Sequence, residues 1–600
     1  MRDFQETTRT KSDSVIFKRL LTYAAPYKKN FIIALLLMLV DVATSSISPL
    51  LVRMTMNVID QPNSDTEKYW LISGIILLFV VIVVIALVLT YVQNLLLQVA
   101  GQKIVHQLRS EVYEHIEVLS LGQLNQIPIG KLVTRVTNDT NTLSEMYTSV
   151  LTNLIRNMLM LVVQFVIMLV LNVKVTLIMG ITLPFVAVLT FGYRRLARKQ
   201  YRKVRNENSN MNAYLSENLS GVKLTQVFNQ EEKKLSQFTA RNKRLRKEHL
   251  IELTMFAIYR PLIFLISMAA SLLVIYYMAA DIILMPFSTV EEIAALVVAV
   301  NSMSAMYLYA NDFYRPLQNL SEDFNILQSA FASAEKVFDV LDTKPEIVND
   351  PEAVDLIDFK GEIEFKNVWF YYIKDEWVLK DVSFKISPND TVAFVGATGS
   401  GKTTIMNLMV RNYDTIKGQI LIDGIDIKKI NLDSLRSEIG QMPQDVFLFT
   451  GTIKENITLS DKTVSDEKII KAAEYVGANT FIEQLPNSYD HIVRERGNNF
   501  STGQRQLLSF ARALVYEPTV MILDEATANI DSETEEIIQE SLEKMMKIST
   551  MIVVAHRLST IQKADKIYVM QKGEIKESGS HQELLNLGGI YYSLYELQYK

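Results

Sequence analysis

Long apolar runs alternate with charged stretches through the first half of the chain. Two of these runs are FIIALLLMLVDVATSSISPLLV and WLISGIILLFVVIVVIALVLTYV. The runs begin at Phe31, Trp70, Leu154, Thr176, Pro261 and Ile293. Each holds about 20 residues, the length of helix that crosses the hydrocarbon core of a bilayer. The pattern therefore predicts an α-helical transmembrane domain with six spans over residues 31–325.

The polar stretches between the second and third runs, and between the fourth and fifth, are much longer than ordinary connections. Both keep a helical pattern, so we expect the membrane helices to continue beyond the bilayer as two long intracellular loops. Residues 1–30 are too long and too charged for a cleaved signal peptide. Their segment VIFKRLLTYAAPYKKN predicts an amphipathic helix at the membrane interface.

The pattern changes after the sixth run. FNILQSAFASAEKVFDVLD ends a helical pattern, and residues 326–360 include a polar linker with Pro345 and Pro351. Strand-like segments then alternate with helical ones from Gly361 onward, beginning with EIEFKNVWFYY and VLKDVSFKI. This alternation is typical of an α/β domain, which we expect over residues 361–600.

Composition agrees with a chain that is partly embedded in a membrane. Of the 600 residues, 49% are hydrophobic, and the mean hydropathy is +0.14. The 61 Lys and Arg nearly balance the 66 Asp and Glu, so overall charge does not indicate a nucleic-acid partner. There is no cysteine, and the six histidines lack metal-ligand spacing, so we predict neither disulfides nor a transition-metal site.

The positions of basic residues predict the orientation of the spans. The N-terminal tail contains Lys18, Arg19, Lys28 and Lys29, and residues 194–205 after the fourth span are denser still in Lys and Arg. Acidic residues predominate in the expected outer loops. Basic residues near span ends stay in the cytoplasm, so both termini and the α/β domain are expected there.

A phosphate-binding motif follows the first buried strand pattern of the α/β domain. The segment TVAFVGATGSGKTT contains G-x-x-x-x-G-K-[ST] between a strand pattern and a helix pattern. Its backbone N–H groups can wrap a phosphate chain, Lys402 supplies a positive charge, and the Thr403 hydroxyl can bind Mg²⁺. The residues predicted to bind nucleotide here are Gly396, Ala397, Thr398, Gly399, Ser400, Gly401, Lys402, Thr403 and Thr404.

Two carboxylates end a later apolar strand pattern, TVMILDEAT. Asp524 can hold Mg²⁺ through water, and Glu525 can orient a water molecule for attack on a γ-phosphate. Acids at a strand end also cap helices. The phosphate-binding motif favours the catalytic interpretation.

The segment NNFSTGQRQLLSFARALV predicts a helix start. Ser501 and Gln504 have the S-x-x-Q spacing of a capping box. Gly503 lies in the first turn, where backbone N–H groups can meet a phosphate. The rest of the chain decides whether a phosphate reaches this helix start.

In this order, these motifs resemble the nucleotide-binding domain of an ATP-binding cassette (ABC) protein. The resemblance implies that Tyr372 stacks on adenine, that Gln444 senses Mg²⁺, and that His556 contacts the γ-phosphate as a switch residue. It also implies that Asp531 reaches across a dimer and that Glu495 meets the coupling loops. ATP and Mg²⁺ are the cofactors expected from it.

The family's L-S-G-G-Q signature corresponds here to FSTGQ, residues 500–504, so Thr502 replaces a glycine. The signature binds ATP held by the opposite subunit. The chain resembles the subunit of heterodimeric bacterial multidrug exporters that keeps the catalytic glutamate and has the altered signature. The resemblance implies a heterodimer whose partner has L-S-G-G-Q and a replaced glutamate.

The whole chain resembles a half-size ABC exporter of the type I or type IV fold. IGKLVTRVTNDT and ENLSGVKLTQVFNQEE resemble its two intracellular coupling regions. The resemblance implies ATP-driven export of amphipathic small molecules across a bacterial cell membrane, with no nucleic-acid partner. Two alternatives stay open: a homodimeric lipid or peptide exporter, and an ATP-gated regulatory or channel protein.

Asp41 is an acid inside the first apolar run, about ten residues or ~15 Å from its cytoplasmic entry. Ionisable groups at that depth usually face a cavity or a partner. Asp41 is expected either to line a path for cationic substrates or to pair within the bundle. Ser288 and Glu291 have the spacing of a capping box at the start of the sixth span.

Overall fold

The computed structural model describes residues 12–60, 64–285, 289–524, 532–554 and 558–599. The chain divides into two compact units. Unit 1 comprises Met1–Ile116 and Gly130–Asp342, and unit 2 comprises Glu117–Ile129 and Thr343–Lys600.

Unit 1 is α-helical. Its helices are α1 (Asp13–Ala24), α2 (Lys28–Ser46), α3 (Ser48–Ile59), α4 (Asp65–Glu117), α6 (Ile129–Thr134), α7 (Thr140–Glu145), α8 (Leu151–Leu171), α9 (Val173–Gly180), α10 (Thr182–Ser220), α11 (Val222–Val227), α12 (Glu231–Ile283), α13 (Val290–Asp312) and α14 (Tyr314–Asp342), and a six-residue helix of unit 2, α5 (Leu121–Gln126), falls between α4 and α6. Within the described ranges, six helical stretches are long and apolar enough to cross a membrane, which confirms the six predicted spans.

Short capping sequences set where these helices begin. Asn172 separates α8 from α9, and its side chain accepts a hydrogen bond from the Val175 N–H at 3.1 Å, so two spans join through one residue. The capping box at the sixth span is formed by Thr289 and Glu292, one residue later than the predicted Ser288 and Glu291. Ser288 lies outside the described residues.

The helix that ends unit 1, α14, ends at Asp342, the last residue of the predicted helical pattern FNILQSAFASAEKVFDVLD. The first part of the segment assigned to the linker, residues 326–342, is therefore helical, and Ala334, Val337 and Phe338 bury one apolar face there. The tail helix α1 packs into the same cluster through Ile16 and Leu20. Protein therefore covers the buried face of α1, which was expected to lie at the membrane interface.

Unit 2 is an α/β domain. Its strands are β1 (Ile363–Tyr371), β2 (Trp377–Ile386), β3 (Thr391–Val395), β4 (Lys417–Ile422), β5 (Ile425–Asp426), β6 (Ile439–Met442), β7 (Gly451–Thr452), β8 (Ile492–Val493), β9 (Val520–Asp524), β10 (Thr550–Val554), β11 (Lys566–Gln571) and β12 (Glu574–Gly579). Its other helices are α15 (Lys402–Met409), α16 (Leu432–Ser437), α17 (Ile453–Thr458), α18 (Asp466–Tyr475), α19 (Asn479–Ile482), α20 (Thr502–Leu514), α21 (Ser532–Met545), α22 (Leu558–Ile561), α23 (His581–Leu587) and α24 (Ile590–Tyr599).

The central sheet has the strand order β12-β11-β3-β10-β9-β6. Strand β10 pairs in parallel with β3 and with β9, and β6 pairs in parallel with β9. Every residue of β3 and β10 is buried. After their first threonine, β3 and β10 are entirely apolar, as is usual for a parallel sheet with both faces covered. Their carboxyl ends therefore open at one edge, where ligands bind in such folds.

Candidate nucleotide-binding site

The loop between β3 and α15 requires glycine at its two ends. Gly396 has a φ of 155° and Gly401 a φ of 108°, in the region that favours glycine. A Cβ on Gly396 would overlap the carbonyl oxygen of Met570, and one on Gly401 would lie 2.7 Å from a Leu379 methyl carbon. The loop therefore packs its backbone closely against the sheet before α15 begins.

Lys402 is held inside this loop. It is only 6% exposed, and its Nζ donates hydrogen bonds to the carbonyl oxygens of Gly396 at 2.7 Å and Ala397 at 3.1 Å. Burial lowers the pKa of Lys402, and the nearby Asp524 carboxylate opposes that shift. The ammonium group therefore lies within the curve of the loop, on the same side of the sheet as the acid that ends β9.

Ser400 gives an independent sign that the loop fits a phosphate chain. Its hydroxyl oxygen is buried and has no hydrogen-bond partner among the described residues. Buried polar groups nearly always have partners, so this one suits a ligand oxygen.

The sheet places the other predicted groups at the same edge. Val554 of β10 pairs with both Phe394 of β3 and Asp524 of β9, so the strands end at one level. Gln444 follows β6, beside β9, and is exposed. Thr403, also exposed, begins the adjacent helix. The oxygens of Thr403, Gln444 and Asp524 are the hard donors that suit Mg²⁺.

Three predicted site residues, Glu525, Asp531 and His556, lie outside the described residues. In the chain, Glu525 follows the last residue of β9 directly, and His556 comes two residues after β10.

An aromatic cluster lies beside the loop. Tyr372 follows β1 and is 46% exposed, and its hydroxyl donates to the Thr404 hydroxyl at 3.2 Å. Its ring centroid is 5.1 Å from that of Tyr413 and 4.9 Å from that of Phe370, both edge to face. The tyrosine is therefore fixed next to the loop with one part of its surface available for stacking.

The predicted capping box at α20 is confirmed. The Ser501 side chain accepts from the Gln504 N–H at 3.2 Å, and the Ser501 N–H donates to Gln504 Oε1 at 3.0 Å. Thr502 is the first residue of the helix and is exposed, while Gly503 is buried. The Thr502 hydroxyl accepts from the Arg505 guanidinium at 3.3 Å. The altered signature position thus presents a side chain at a helix N-terminus.

The sequence interpretation missed a segment that joins unit 2. Helix α5 belongs to this unit. The predicted coupling region, IGKLVTRVTNDT, begins only at Ile129, after α5 has ended. Gln123 donates to the Lys344 carbonyl oxygen at 2.8 Å, and Asn125 donates to the Tyr413 hydroxyl at 3.2 Å. A Cβ on Gly122 would lie 2.7 Å from the Tyr413 ring. The capping box that starts α5, formed by Ser120 and Gln123, was the available signal.

Asp41 of unit 1 is paired within the helix bundle, one of the two alternatives expected for it. One carboxylate oxygen forms an ion pair with the Arg156 guanidinium at 2.9 Å, in a geometry that is not aligned as a hydrogen bond. The other oxygen accepts a hydrogen bond from the Thr90 hydroxyl at 3.2 Å. The side chain of Asp41 is 3% exposed and that of Arg156 is 37% exposed. With both oxygens engaged, Asp41 offers little free negative charge to a cationic substrate.

We expect Arg156→Gln to lower the free energy of unfolding by about 3 kcal/mol, because it leaves the buried Asp41 carboxylate without its cation. Asp41→Asn should cost less, and the double variant should recover part of the loss. Thermal unfolding of the purified protein tests this. Additive losses would contradict the pairing.

Asp41→Asn should reduce transport of cationic and neutral substrates alike, and selective loss of cationic ones would place Asp41 in the substrate path.

Two family models match the chain. One, the ABC transporter transmembrane region, matches residues 31–305, and the other, ABC transporter, matches residues 379–528. The chain is 37% identical to a putative ABC transporter ATP-binding protein, exp8, of Streptococcus pneumoniae, over 97% of both chains. It is 34% identical to an ATP-dependent lipid A-core flippase of Syntrophus aciditrophicus, over 98% of this chain and 95% of that one.

A relative from Bacillus subtilis, the probable multidrug resistance ABC transporter ATP-binding/permease protein YheH, is 36% identical over 88% of this chain and 77% of its own length. Among solved structures, a bacterial Atm1-family ABC exporter with ATP bound is 25% identical, with a TM-score of 0.77 over 96% of this chain and 99% of that one.

The six apolar helices, the phosphate loop at the carboxyl end of β3 and these similarities agree over nearly the whole chain. The chain belongs to the ABC transporter family as an exporter half-transporter, which couples ATP hydrolysis to transport through a multi-pass membrane domain.

Proposed function

We propose that the chain is one half of a heterodimeric exporter of amphipathic small molecules, including drugs, in the bacterial cell membrane. Its termini and unit 2 face the cytoplasm. Its own loop, with Lys402, Glu525, His556 and Mg²⁺, forms the hydrolytic site, completed by the partner's intact signature. Its Thr502 signature faces a second site that mainly holds ATP.

Thr502 is the observation on which the heterodimer rests. A glycine at the first position of α20 would let the backbone approach a γ-phosphate, whereas threonine adds a branched side chain and restricts the backbone. The Thr502 hydroxyl is engaged by Arg505, so it is not freely oriented toward a phosphate. Two such signatures in a homodimer would weaken both ATP sites while both kept Glu525. A heterodimer confines the defect to one site.

An exposed apolar tip supports a dimer. Val227 is 75% exposed, Leu224 64% and Phe228 64%, at the turn that joins α10 to α12 through α11. This turn is the second predicted coupling region, and its polar flanks place it outside the bilayer. Contiguous exposed apolar side chains outside a membrane mark protein interaction sites. The nucleotide-binding unit of a partner subunit would cover them.

The substrate class rests on the membrane unit and the relatives. One relative is named for multidrug resistance and another as a lipid A-core flippase. Both names are compatible with an amphipathic substrate that enters from the bilayer. A homodimeric lipid exporter is therefore the second candidate, and the subunit composition separates it from the first.

Thr502→Gly in the chain expressed alone tests the subunit composition. In a homodimer the substitution repairs both signatures, so ATP turnover should rise at least ~10-fold, the scale of restoring one close phosphate contact. In the proposed heterodimer it repairs only the site whose partner lacks the catalytic glutamate. Turnover of the co-purified pair should then change less than ~3-fold, and the chain alone should show little turnover with or without the substitution.

Thr502→Ser is the matched control, because it keeps a hydroxyl for Arg505 and removes the branch. Full ATPase activity and transport by this chain alone would contradict the heterodimer. A co-purifying partner with glutamate after the aspartate corresponding to Asp524 would do so too.

A further inference from the structure

A dense group of basic side chains lies on the helix pair formed by α10 and α12. Residues 194–205 contain seven Lys or Arg, residues 241–247 contain five, and neither segment contains an acid. The two helices run antiparallel, and the Gln200 side chain donates to the Glu248 carbonyl oxygen at 2.9 Å. Gln200 lies in the first segment and Glu248 one residue beyond the second, so the two segments, with twelve positive charges in all, are neighbours along the pair.

Contacts within the same pair locate the bilayer relative to these charges. The rings of Tyr193 and Tyr259 stack with centroids 4.1 Å apart, and Lys174 of α9, the helix that precedes α10, forms an ion pair with Asp281 of α12 at 3.0 Å. Along α12 the tyrosine stack and the ion pair are separated by ~33 Å, and along α9 and α10 they are separated by ~28 Å. The hydrocarbon core of a bilayer is about 30 Å thick, and tyrosines favour its boundaries. The tyrosine stack therefore marks the boundary on the basic side.

Four cations lie close to that boundary: Arg195, Arg198, Lys199 and Arg260, here called the basic collar. All four are exposed, and they lie within ~9 Å of the tyrosine stack along the helix axes. The first three form no ion pair with any residue that the structure describes, and the Arg260 guanidinium lies over the Phe256 ring at 4.5 Å.

The nearby acids are already engaged. Glu248 accepts from Gln200 at 2.7 Å, and Glu252 pairs with His249 at 3.3 Å. Apolar side chains flank the collar: Phe191, on the membrane side of the tyrosine stack, is 65% exposed, and Leu196, between Arg195 and Arg198, is 61% exposed. Uncompensated cations beside an apolar surface match a molecule with an anionic head and an acyl tail.

We propose that the basic collar binds the headgroups of anionic phospholipids in the leaflet that it meets, which the proposed orientation makes the cytoplasmic leaflet. Each basic residue near an anionic bilayer surface contributes a roughly 5-fold preference, so the collar favours anionic over zwitterionic lipid. The arginine side chains can also bind a phosphate in a bidentate manner. The attraction decays within a Debye length of about 8 Å at physiological salt, so only the collar, and not the deeper basic residues, takes part.

The chain offers a matched pair of variants to test this. Arg195→Gln, Arg198→Gln and Lys199→Gln together remove three charges within ~9 Å of the boundary. Lys243→Gln, Arg246→Gln and Lys247→Gln together remove three charges ~18 to ~24 Å from it, on the same helix pair. Each protein, in its assembled form, is reconstituted in nanodiscs with spin-labelled phosphatidylglycerol or phosphatidylcholine. The immobilised fraction of each lipid gives the relative association constant.

For the unmodified protein we expect phosphatidylglycerol to associate at least ~10-fold more strongly than phosphatidylcholine, and the preference should fall below ~3-fold in 1 M NaCl. The collar variant should lose the preference, and the deeper variant should keep it. Equal losses in both variants, or no preference in the unmodified protein, would overturn the proposal.

A collar variant that keeps its lipid preference but assembles poorly would identify the surface as a protein interface, and the proposal would be wrong. Should the collar variant not fold, the salt titration of the unmodified protein still decides, because it needs no substitution. The double substitution Arg195→Lys and Arg198→Lys should keep the preference, since charge is conserved. None of these measurements requires ATP turnover, so their outcome is independent of the proposed subunit composition.

Discussion

Replacing Glu525 by Gln should slow ATP hydrolysis at least ~100-fold while ATP still binds, because the substitution removes a positioned general base and leaves the phosphate loop unchanged. In the chain, Glu525 directly follows Asp524, the residue that ends β9 and whose carboxylate interacts with Lys402 of the loop. Steady-state turnover and equilibrium binding of a fluorescent ATP analogue, both on the assembled transporter, measure the two effects separately.

Glu467→Gln is the control for this substitution. Glu467 lies exposed in the first turn of α18, so turnover should stay within ~2-fold of the unmodified protein. Unchanged turnover in Glu525→Gln would refute the catalytic assignment. Loss of binding together with turnover would instead make Glu525 a residue that organises the loop.

Replacing Lys402 by Ala should weaken ATP binding at least ~10-fold and lower turnover at least ~100-fold, because a preorganised cation at the phosphates is removed from a partly buried site. Lys402 is 6% exposed, and its Nζ donates to a loop carbonyl oxygen. A water molecule that took the place of the ammonium group would not supply its positive charge to the phosphates. The same two measurements apply. The contrast with Glu525→Gln is sharp, since one variant should lose binding and the other should keep it.

Lys471→Ala removes an exposed lysine from α18 and should change neither quantity by more than ~2-fold. Native ATP affinity in Lys402→Ala would show that the backbone N–H groups of the loop suffice for binding. In that case the ammonium group would serve the reaction alone.

Much of the nucleotide site was predictable because its signals are short. The glycine spacing of the phosphate loop follows from φ angles that a single segment must adopt, as Gly396 and Gly401 illustrate. The capping box of Ser501 and Gln504 joins residues three apart, so the sequence contains the whole interaction. The six spans are set by the length of continuous apolar runs against the thickness of a bilayer.

Boundaries that depend on packing were less predictable. The helical pattern up to Asp342 was visible in the sequence, but the packing of its apolar face against α1, a helix far away in the chain, was not. Residues 117–129 join unit 2 through Gln123, Asn125 and the ring of Tyr413, and no local pattern in that segment indicates which partner it has. The capping box at the sixth span is displaced by one residue, because Ser288 and Thr289 offer equivalent hydroxyls three residues before an acid.

The sequence by itself determined the family and the six spans and predicted the groups expected to bind ATP, since periodicity and motif spacing are properties of neighbouring residues. Only the tertiary structure decided that Arg156 neutralises Asp41. It also joined Gln200 to Glu248, which makes two basic segments neighbours along a helix pair, and stacked Tyr193 on Tyr259. The physical reason is that charge pairing and charge clustering depend on distances in space, which separation along the chain does not specify.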